Sequence, residues 1–291
     1  MDSITHTLFG FALYGTIDKK EMDKNHKKAF LMTSVGASLI PDIDVISRFW
    51  DTEGQYQMWH RGITHSLFLT PLWALLFFLL SMLFFKTKDK RLFFLGLLAV
   101  FIHDTSDLFN AWGTGYFEPF SSMRVTFGTI PIVDLVFWLI LGIAYIFSRR
   151  NKVKAPHYFK IAWLFIVINV VIQTTQGYFI YKQYEEKYEQ IALSADFIPW
   201  NFHVIAKKDN TITIYKDNLF QEKRRQVVLQ SAIHADLDML FEEKPEAKTL
   251  YEWAPFVVLV DDHERLGLYD PRFYRNGQSF LFEFIEKNTK R

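Results

Sequence analysis

Apolar residues occupy the first 181 positions in blocks separated by short polar stretches. Residues 67–85 form an uninterrupted apolar run, close to the ~20 residues a membrane-crossing helix needs. Residues 92–108, 131–147 and 159–181 read as three further spans, the last softened by Gln173, Thr174, Thr175, Gln176 and Gly177. Two shorter segments, 4–17 and 29–46, also read as inserted. Asp2 or Ser3 can cap the first, and Val35-Gly36-Ala37-Ser38 gives the second a small-residue stretch. The pattern predicts an α-helical polytopic membrane protein with four to six membrane segments.

Beyond Tyr181 the periodicity changes. Residues 182–190 are charged and read as a helix leaving the membrane. Residues 202–206 and 211–215 alternate around Asp209-Asn210, a hairpin pattern. Residues 221–241 read as an amphipathic helix, and 256–260 as an apolar strand. Residues 266–269 and 279–284 flank Asn276-Gly277, a turn signal. The chain thus divides into a helical membrane domain, 1–181, and a small α+β extramembrane domain, 182–291.

Composition sharpens this picture. The chain is 50% hydrophobic and 18% aromatic, with 30 Phe, which is rich for a water-soluble domain. Lys+Arg 33 against Asp+Glu 32 leaves a net charge of +1, so nothing in the bulk charge indicates nucleic acid. The absence of cysteine removes disulfides, thiolate metal sites and cysteine nucleophiles together. The opening Met1-Asp2-Ser3 has no basic stretch of the kind that starts a secretory signal peptide. The basic loops at 19–28, 86–91 and 149–154 are expected on the cytoplasmic side, and six alternating segments satisfy all three. The protein is therefore expected in the cell membrane as a multi-pass protein with its C-terminal domain extracytoplasmic.

That topology gathers the chemistry on the outer face. His103-Asp104-Thr105-Ser106-Asp107 ends an apolar helix, and four-residue spacing puts His103 and Asp107 on one face. Such groups are costly to desolvate without a partner, and a metal ion takes imidazole and carboxylate together. His6, Pro41-Asp42-Ile43-Asp44 and His60-Arg61-Gly62-Ile63-Thr64-His65-Ser66 are expected at the same face. The topology was drawn without these motifs, so their coincidence is an independent argument for one site. Each motif also has a plainer explanation: a helix-end salt bridge for His103 and Asp107, solvated acids at a helix terminus for Asp42 and Asp44, and an interfacial polar belt for the His60–His65 block. Arg48, Arg61 and Arg124 fall on the same side, where a guanidinium suits a phosphate, a carboxylate or a lipid headgroup. Asp134 is explained by a helix N-terminus. His26, His157, His203, His234 and His263 have no metal-like spacing or lie in other loops. Ser66 lacks the Gly-x-Ser-x-Gly elbow of a serine hydrolase.

Thr5-His6-x-Leu8-x-Gly10, Pro41-Asp42-x-Asp44, the His-Arg-Gly-x-Thr-His-Ser block and the His/Asp-rich helix before a Gly-containing loop resemble the YdjM-like family of membrane-bound metal-dependent hydrolases. The resemblance covers roughly residues 1–181. The order of ligands is also distantly similar to zinc-dependent phospholipases C and S1/P1-type nucleases. That resemblance implies His6, Asp42 or Asp44, His60 or His65, His103 and Asp107 as metal ligands; with the motifs taken together, the expected ligands are His6, Asp42, His60, His65, His103 and Asp107, with Asp44, Asp104 and Arg61 in catalytic roles. The cofactor it implies is a divalent metal, zinc with manganese as the alternative. No second His-x3-Glu pair follows Asp107, and Asn110 and Asp134 are the only nearby substitutes, so one or two ions fit better than three. The expectation is hydrolysis of a phosphoester or lipid-like substrate, with membrane lipid as the neighbour. The competing readings are a non-catalytic membrane protein with a structural or sensory metal and a partner-binding tail, and a transporter with carboxylates near mid-membrane.

Overall fold

The computed structural model describes residues 1–287. Helices α1 (Ser3–Gly15) and α2 (Lys24–Ala37) open the chain. Asp2 caps α1, its carboxylate accepting from the Ile4 and Thr5 amides at 3.0 and 3.1 Å. A 3-10 segment, Ile40–Phe49, leads to the short helix α3 (Tyr56–Trp59) and the 3-10 turn Ile63–His65. Helices α4 (Thr70–Phe85), α5 (Arg91–Asp107), α6 (Leu135–Arg150) and α7 (Ala155–Glu185) follow.

Among the described residues one helix, Lys152–Glu185, is by itself long and apolar enough to cross a membrane. The number rises to three if two bent pairs each make one span: Lys24–Ala37 with Ile40–Phe49, and Tyr56–His65 with Thr70–Phe85. The apolar blocks suggested four to six segments. The difference is one of helix length: α4, α5 and α6 run 16, 17 and 16 residues, short of the ~20 that cross a bilayer upright.

The chain forms two compact units. Met1–Asp44 and Arg61–Thr174 make the first, and Val45–His60 with the chain from Thr175 onward makes the second. In the first unit Phe9 and Ala12 of α1 pack with Phe137, Leu141 and Ala144 of α6 and Ala162 and Ile166 of α7. A second cluster joins Leu13, Ala37, Phe77, Ala99 and Val100, which locks α1, α2, α4 and α5 together. Gly10 allows α1 to approach α2: a Cβ there would lie 2.7 Å from the Val35 Cα and 2.9 Å from the Ser34 carbonyl. Only the missing side chain lets α1 and α2 approach this closely.

The second unit is mostly antiparallel sheet. Strands β1 (Gln190–Ala195), β2 (Phe202–Lys208), β3 (Thr211–Asn218) and β4 (Gln221–Gln230) pair in chain order. Asp209-Asn210 closes the β2–β3 hairpin between the pair Lys208 and Thr211, as the alternation predicted. Period two is visible in β2. Phe202, Val204 and Ala206 pack with Ile180 and Tyr184 at the end of α7, whereas Ile205 joins Ile212, Ile214, Phe256 and Val258 on the other face. The helix expected over 221–241 is instead β4 followed by the shorter α8 (Leu237–Glu243). Val227 and Leu229, two apart, turn toward the core beside Ile214, and sheet pairing to β3 overrides the helical pattern. Helix α9 (Pro245–Trp253) precedes β5 (Val258–Asp261) and β6 (Arg265–Tyr269), then β7 (Tyr274–Arg275), β8 (Gln278–Ser279) and β9 (Phe282–Glu286). β5, β6 and β9 form a three-stranded sheet. Asn276 and Gly277, at φ 51° and 89°, make the tight turn between β7 and β8. The 45–60 excursion is tied into this unit where the Gln55 amide donates to Thr249 Oγ1 at 3.0 Å.

His203 on β2 is buried, with Nε2 3.8 Å from Asp196 Oδ2. Burial, followed by the Arg275 charge, lowers its pKa to about 4. An unfolded chain would protonate this ring near pH 6.5 and the folded one resists until about 4. Its stabilisation is therefore complete above about pH 6.5 and is lost as pH falls toward 4. Thermal melts of the full-length protein should show the second unit weakening over that window, and His203→Gln should flatten the slope. A wild-type melting temperature that is constant from pH 7 to 4 would contradict this assignment.

Candidate metal centre

The last turn of α5 carries His103, Asp104 and Asp107, all buried. Asp42 arrives from the 3-10 segment behind Pro41, and His65 closes the Ile63–His65 turn. Asp42, His65, His103 and Asp107 each offer one ligand atom, and these atoms lie within 4.8 Å of one another. His65 Nε2 and His103 Nε2 approach to 3.1 Å. Asp42 Oδ1 is 3.4 Å from the first and 3.6 Å from the second, and Asp107 Oδ2 is 3.6 and 3.9 Å away.

The other ring nitrogens fix the tautomers. His103 Nδ1 lies 2.7 Å from the Ser38 carbonyl, which can only accept, so Nδ1 carries the proton. His65 Nδ1 lies 3.3 Å from Asp44 Oδ2. With both protons directed outward, two Nε2 lone pairs point at each other inside a ring of carboxylates. That arrangement repels itself until a cation sits between the donors, and imidazole held by an outer carboxylate or carbonyl is a usual way of presenting nitrogen to a metal. His6 fits the same conclusion. Its ring stacks on His103 with centroids 3.7 Å apart, its Nε2 is 3.3 Å from Asp107 Oδ1, and neither of its buried nitrogens makes a hydrogen bond of good geometry. The residues present suit a divalent ion with nitrogen and oxygen ligands.

Around this cluster lies a second ring of contacts. Asp44 Oδ2 accepts from the Arg61 amide at 2.8 Å and from Thr64 Oγ1 at 2.9 Å. Arg61 sits at φ 58°, a strained left-handed conformation for a side chain of this size. Its carbonyl accepts from the Gly115 amide at 2.7 Å and Arg124 Nη1 at 3.0 Å. Its guanidinium is 3.1 Å from Asp107 Oδ2, and it donates to Asn110 Oδ1 at 2.9 Å and to the Met1 carbonyl at 2.8 Å. The Met1 amine contacts Asp107 Oδ1. Asp104 Oδ2 accepts from Thr70 Oγ1 at 3.2 Å, while its buried Oδ1 has no hydrogen-bond partner.

Of the six ligands implied by the sequence motifs, the structure gathers Asp42, His65, His103 and Asp107, and sets His6 against them. His60 does not join. It belongs to the other unit and stacks on Tyr56, with ring centroids 5.4 Å apart. Arg48 also lies in that unit, over the Tyr56 ring at 4.8 Å. Asp134 caps α6 and accepts from Gln173 Nε2 at 3.0 Å, so it serves the helix. Ser66 donates to the Glu118 carbonyl. Ser38, Thr64 and Thr70 were not singled out by sequence reasoning. No local signal marks a backbone carbonyl or a threonine as the partner of a ligand.

The family model described as YdjM inner membrane protein matches residues 1–179. This chain belongs to the YdjM family. All four convergent residues fall within the matched region. It is also similar to the uncharacterized protein YfhP of Bacillus subtilis strain 168, with 34% identity over 138 residues. That alignment covers 46% of this chain and 42% of YfhP, so it spans less than half of the relative. No solved structure matches.

Elemental analysis of the purified protein tests the centre. His65→Ala and His103→Ala should abolish stoichiometric divalent metal, and His60→Ala should retain it. Asp44→Asn should weaken metal affinity ~10- to 100-fold, the usual cost of losing a carboxylate behind a metal-binding histidine. Equal metal content in His60→Ala and His65→Ala proteins, both low, would refute the division drawn between these two histidines.

Proposed function

We propose that this chain is a membrane-embedded metal-dependent hydrolase acting on a phosphoester or lipid-like substrate at the outer membrane face. The observation that carries the reading is the pair of buried Nε2 atoms 3.1 Å apart, with each Nδ1 lying beside an oxygen acceptor on the outer side. Asp42, His65, His103 and Asp107 would hold the ion, with His6 beside them. Zinc suits two imidazoles and two carboxylates, and manganese is the alternative. A bound divalent ion supplies Lewis acidity and an acidified water.

The chain's own residues divide the remaining work. Asp104 is the candidate base: it is buried beside His103, and one of its oxygens has no hydrogen-bond partner. Asp44 positions His65 and, through the Arg61 amide, the start of the turn that carries it. Arg61 holds Asp107 in place, which changes its expected role from substrate anchor to positioning residue. The family's description as an inner membrane protein supports a site at a membrane, and the excess of Lys and Arg in the loops at 19–28, 86–91 and 149–154 favours the opposite face for it. A lipid-borne phosphate would reach such a site without leaving the bilayer surface.

The alternative is a structural or sensory metal with a partner-binding second unit. It is favoured by how fully the four ligands are buried, with Asp42 the least so. Purified protein loaded with zinc or manganese, assayed on phosphodiester and lipid phosphate substrates, separates the two. Asp104→Asn should keep the metal and lose ~100-fold or more in turnover, the range for a general base. Metal-loaded wild type that hydrolyses none of these substrates, but melts at a markedly lower temperature once stripped, would favour the structural role instead.

A further inference from the structure

The α6–α7 pair carries a second feature, away from the His/Asp cluster. An apolar cavity of about 500 Å³ opens along it, a volume in the range of ligand sites. Its lining positions recur as i, i+3, i+4, i+7 from Ile140 on α6, and with the same spacing from Tyr158 on α7. In both helices the i+4 position is alanine. Ala144 and Ala162 are buried and form the floor, whereas Ile143, Phe147, Ile161 and Phe165 stand exposed as walls. Two small buried residues between four bulky exposed ones leave an apolar slot along the helix pair.

The charge at the end of this slot identifies the occupant. No Asp or Glu lies between Asp134 and Glu185. Within that acid-free stretch Arg149 and Arg150 end α6, Lys152 and Lys154 lie on the turn joining it to α7, and Lys160 is in the second turn of α7. All five are exposed, and none is ion-paired among the described residues. Basic loops of this kind orient a membrane protein, but orientation needs no slot beside them. Five cations without counter-charge next to an apolar slot match a molecule with a hydrocarbon tail and an anionic head.

We infer that the α6–α7 slot is a binding site for an anionic glycerophospholipid, one acyl chain lying on Ala144 and Ala162 and the phosphate at Arg149, Arg150, Lys152 and Lys154. Tyr158, on the first turn of α7, sits at the level where a headgroup meets the chains. The site is independent of the metal centre and of the hydrolase reading.

Native mass spectrometry of the full-length, delipidated protein in mixed micelles tests it, with equal amounts of phosphatidylglycerol and phosphatidylcholine of the same acyl chains. The wild type should retain phosphatidylglycerol over phosphatidylcholine by ~10-fold, consistent with several basic residues acting on one headgroup. Filling the floor with Ala144→Leu and Ala162→Leu should remove most retained lipid although every cation remains. Replacing Arg149, Arg150, Lys152 and Lys154 by Gln should equalise the two lipids. If the floor variant fails to fold, Ile143→Ala with Phe165→Ala opens the walls and should also weaken retention. Wild type without a preference, or folded floor and wall variants that both retain phosphatidylglycerol fully, would overturn the inference, because charge alone would then account for any recruitment.

Discussion

The first unit is arranged around one electrostatic demand. Two buried imidazole nitrogens lie 3.1 Å apart, each with its partner nitrogen already committed to an acceptor. As neutral rings, neither can donate to the other without breaking its outer bond. Water cannot easily relieve the repulsion, since both histidines are fully buried. The surrounding carboxylates of Asp42 and Asp107 make the same space attractive to a cation. Asp44 shows how tightly the pieces are coupled, because a single oxygen serves the His65 ring, the Thr64 hydroxyl and the Arg61 amide. The left-handed backbone at Arg61 persists because that oxygen and two donors on its carbonyl hold it from both sides. Losing Asp44 would therefore release a turn as well as a ring.

Helix packing brings the cluster's members together from distant parts of the sequence. Gly10 allows α1 to lie against α2, which sets His6 near the chain that continues to Ser38 and Asp42. The Ser38 carbonyl then reaches His103 on α5. Apolar contacts among Leu13, Ala37, Ala99 and Val100 hold the same helices one or two turns further along. Hydrophobic packing thus fixes the helices, and the polar atoms at their ends are presented to one point. A buried set of charges is costly to assemble alone, and here the assembly follows from burying apolar side chains that pack in any case.

Much of this was legible in the sequence, and the failures have identifiable causes. The spacing of His103 and Asp107 directly gives a shared helix face, and Asp42 behind Pro41 marks a helix end. His60 and His65 look equivalent as a motif. What separates them is the turn at Arg61 and the packing of 45–60 with the second unit, a long-range contact that composition does not carry. Arg61 looked like a hand for substrate because sequence shows charge but not occupancy; its guanidinium lies against Asp107, Asn110 and Met1. The apolar blocks suggested four to six spans, whereas by length and composition one helix qualifies among the described residues, or up to three with the bent pairs, since α4, α5 and α6 run only 16 or 17 residues. At 221–230 the alternation of Val227 and Leu229 was outweighed by a longer helical pattern, and only the waiting edge of β3 decides between them.

Helix α6 also shows how one element serves two environments. Its first residue follows Asp134, an acidic cap, and its last turn carries Arg149 and Arg150, each charge opposing the helix dipole at its end. Near the acidic end Trp138 Nε1 donates to Thr5 Oγ1 at 2.9 Å, tying α6 to the start of α1, next to His6. At the basic end lie Phe147 and the α6–α7 slot. Sixteen residues at the helical rise separate these ends by roughly 24 Å. Along that length Phe137 and Leu141 pack with Phe9 of α1, so the middle of α6 is apolar core. The four convergent ligands come from the 3-10 segment, the Ile63–His65 turn and α5, whereas the slot is built from α6 and α7, and the two are joined through the apolar cluster in which Ala144 and Ala162 pack with Met1 and with Phe9 of α1.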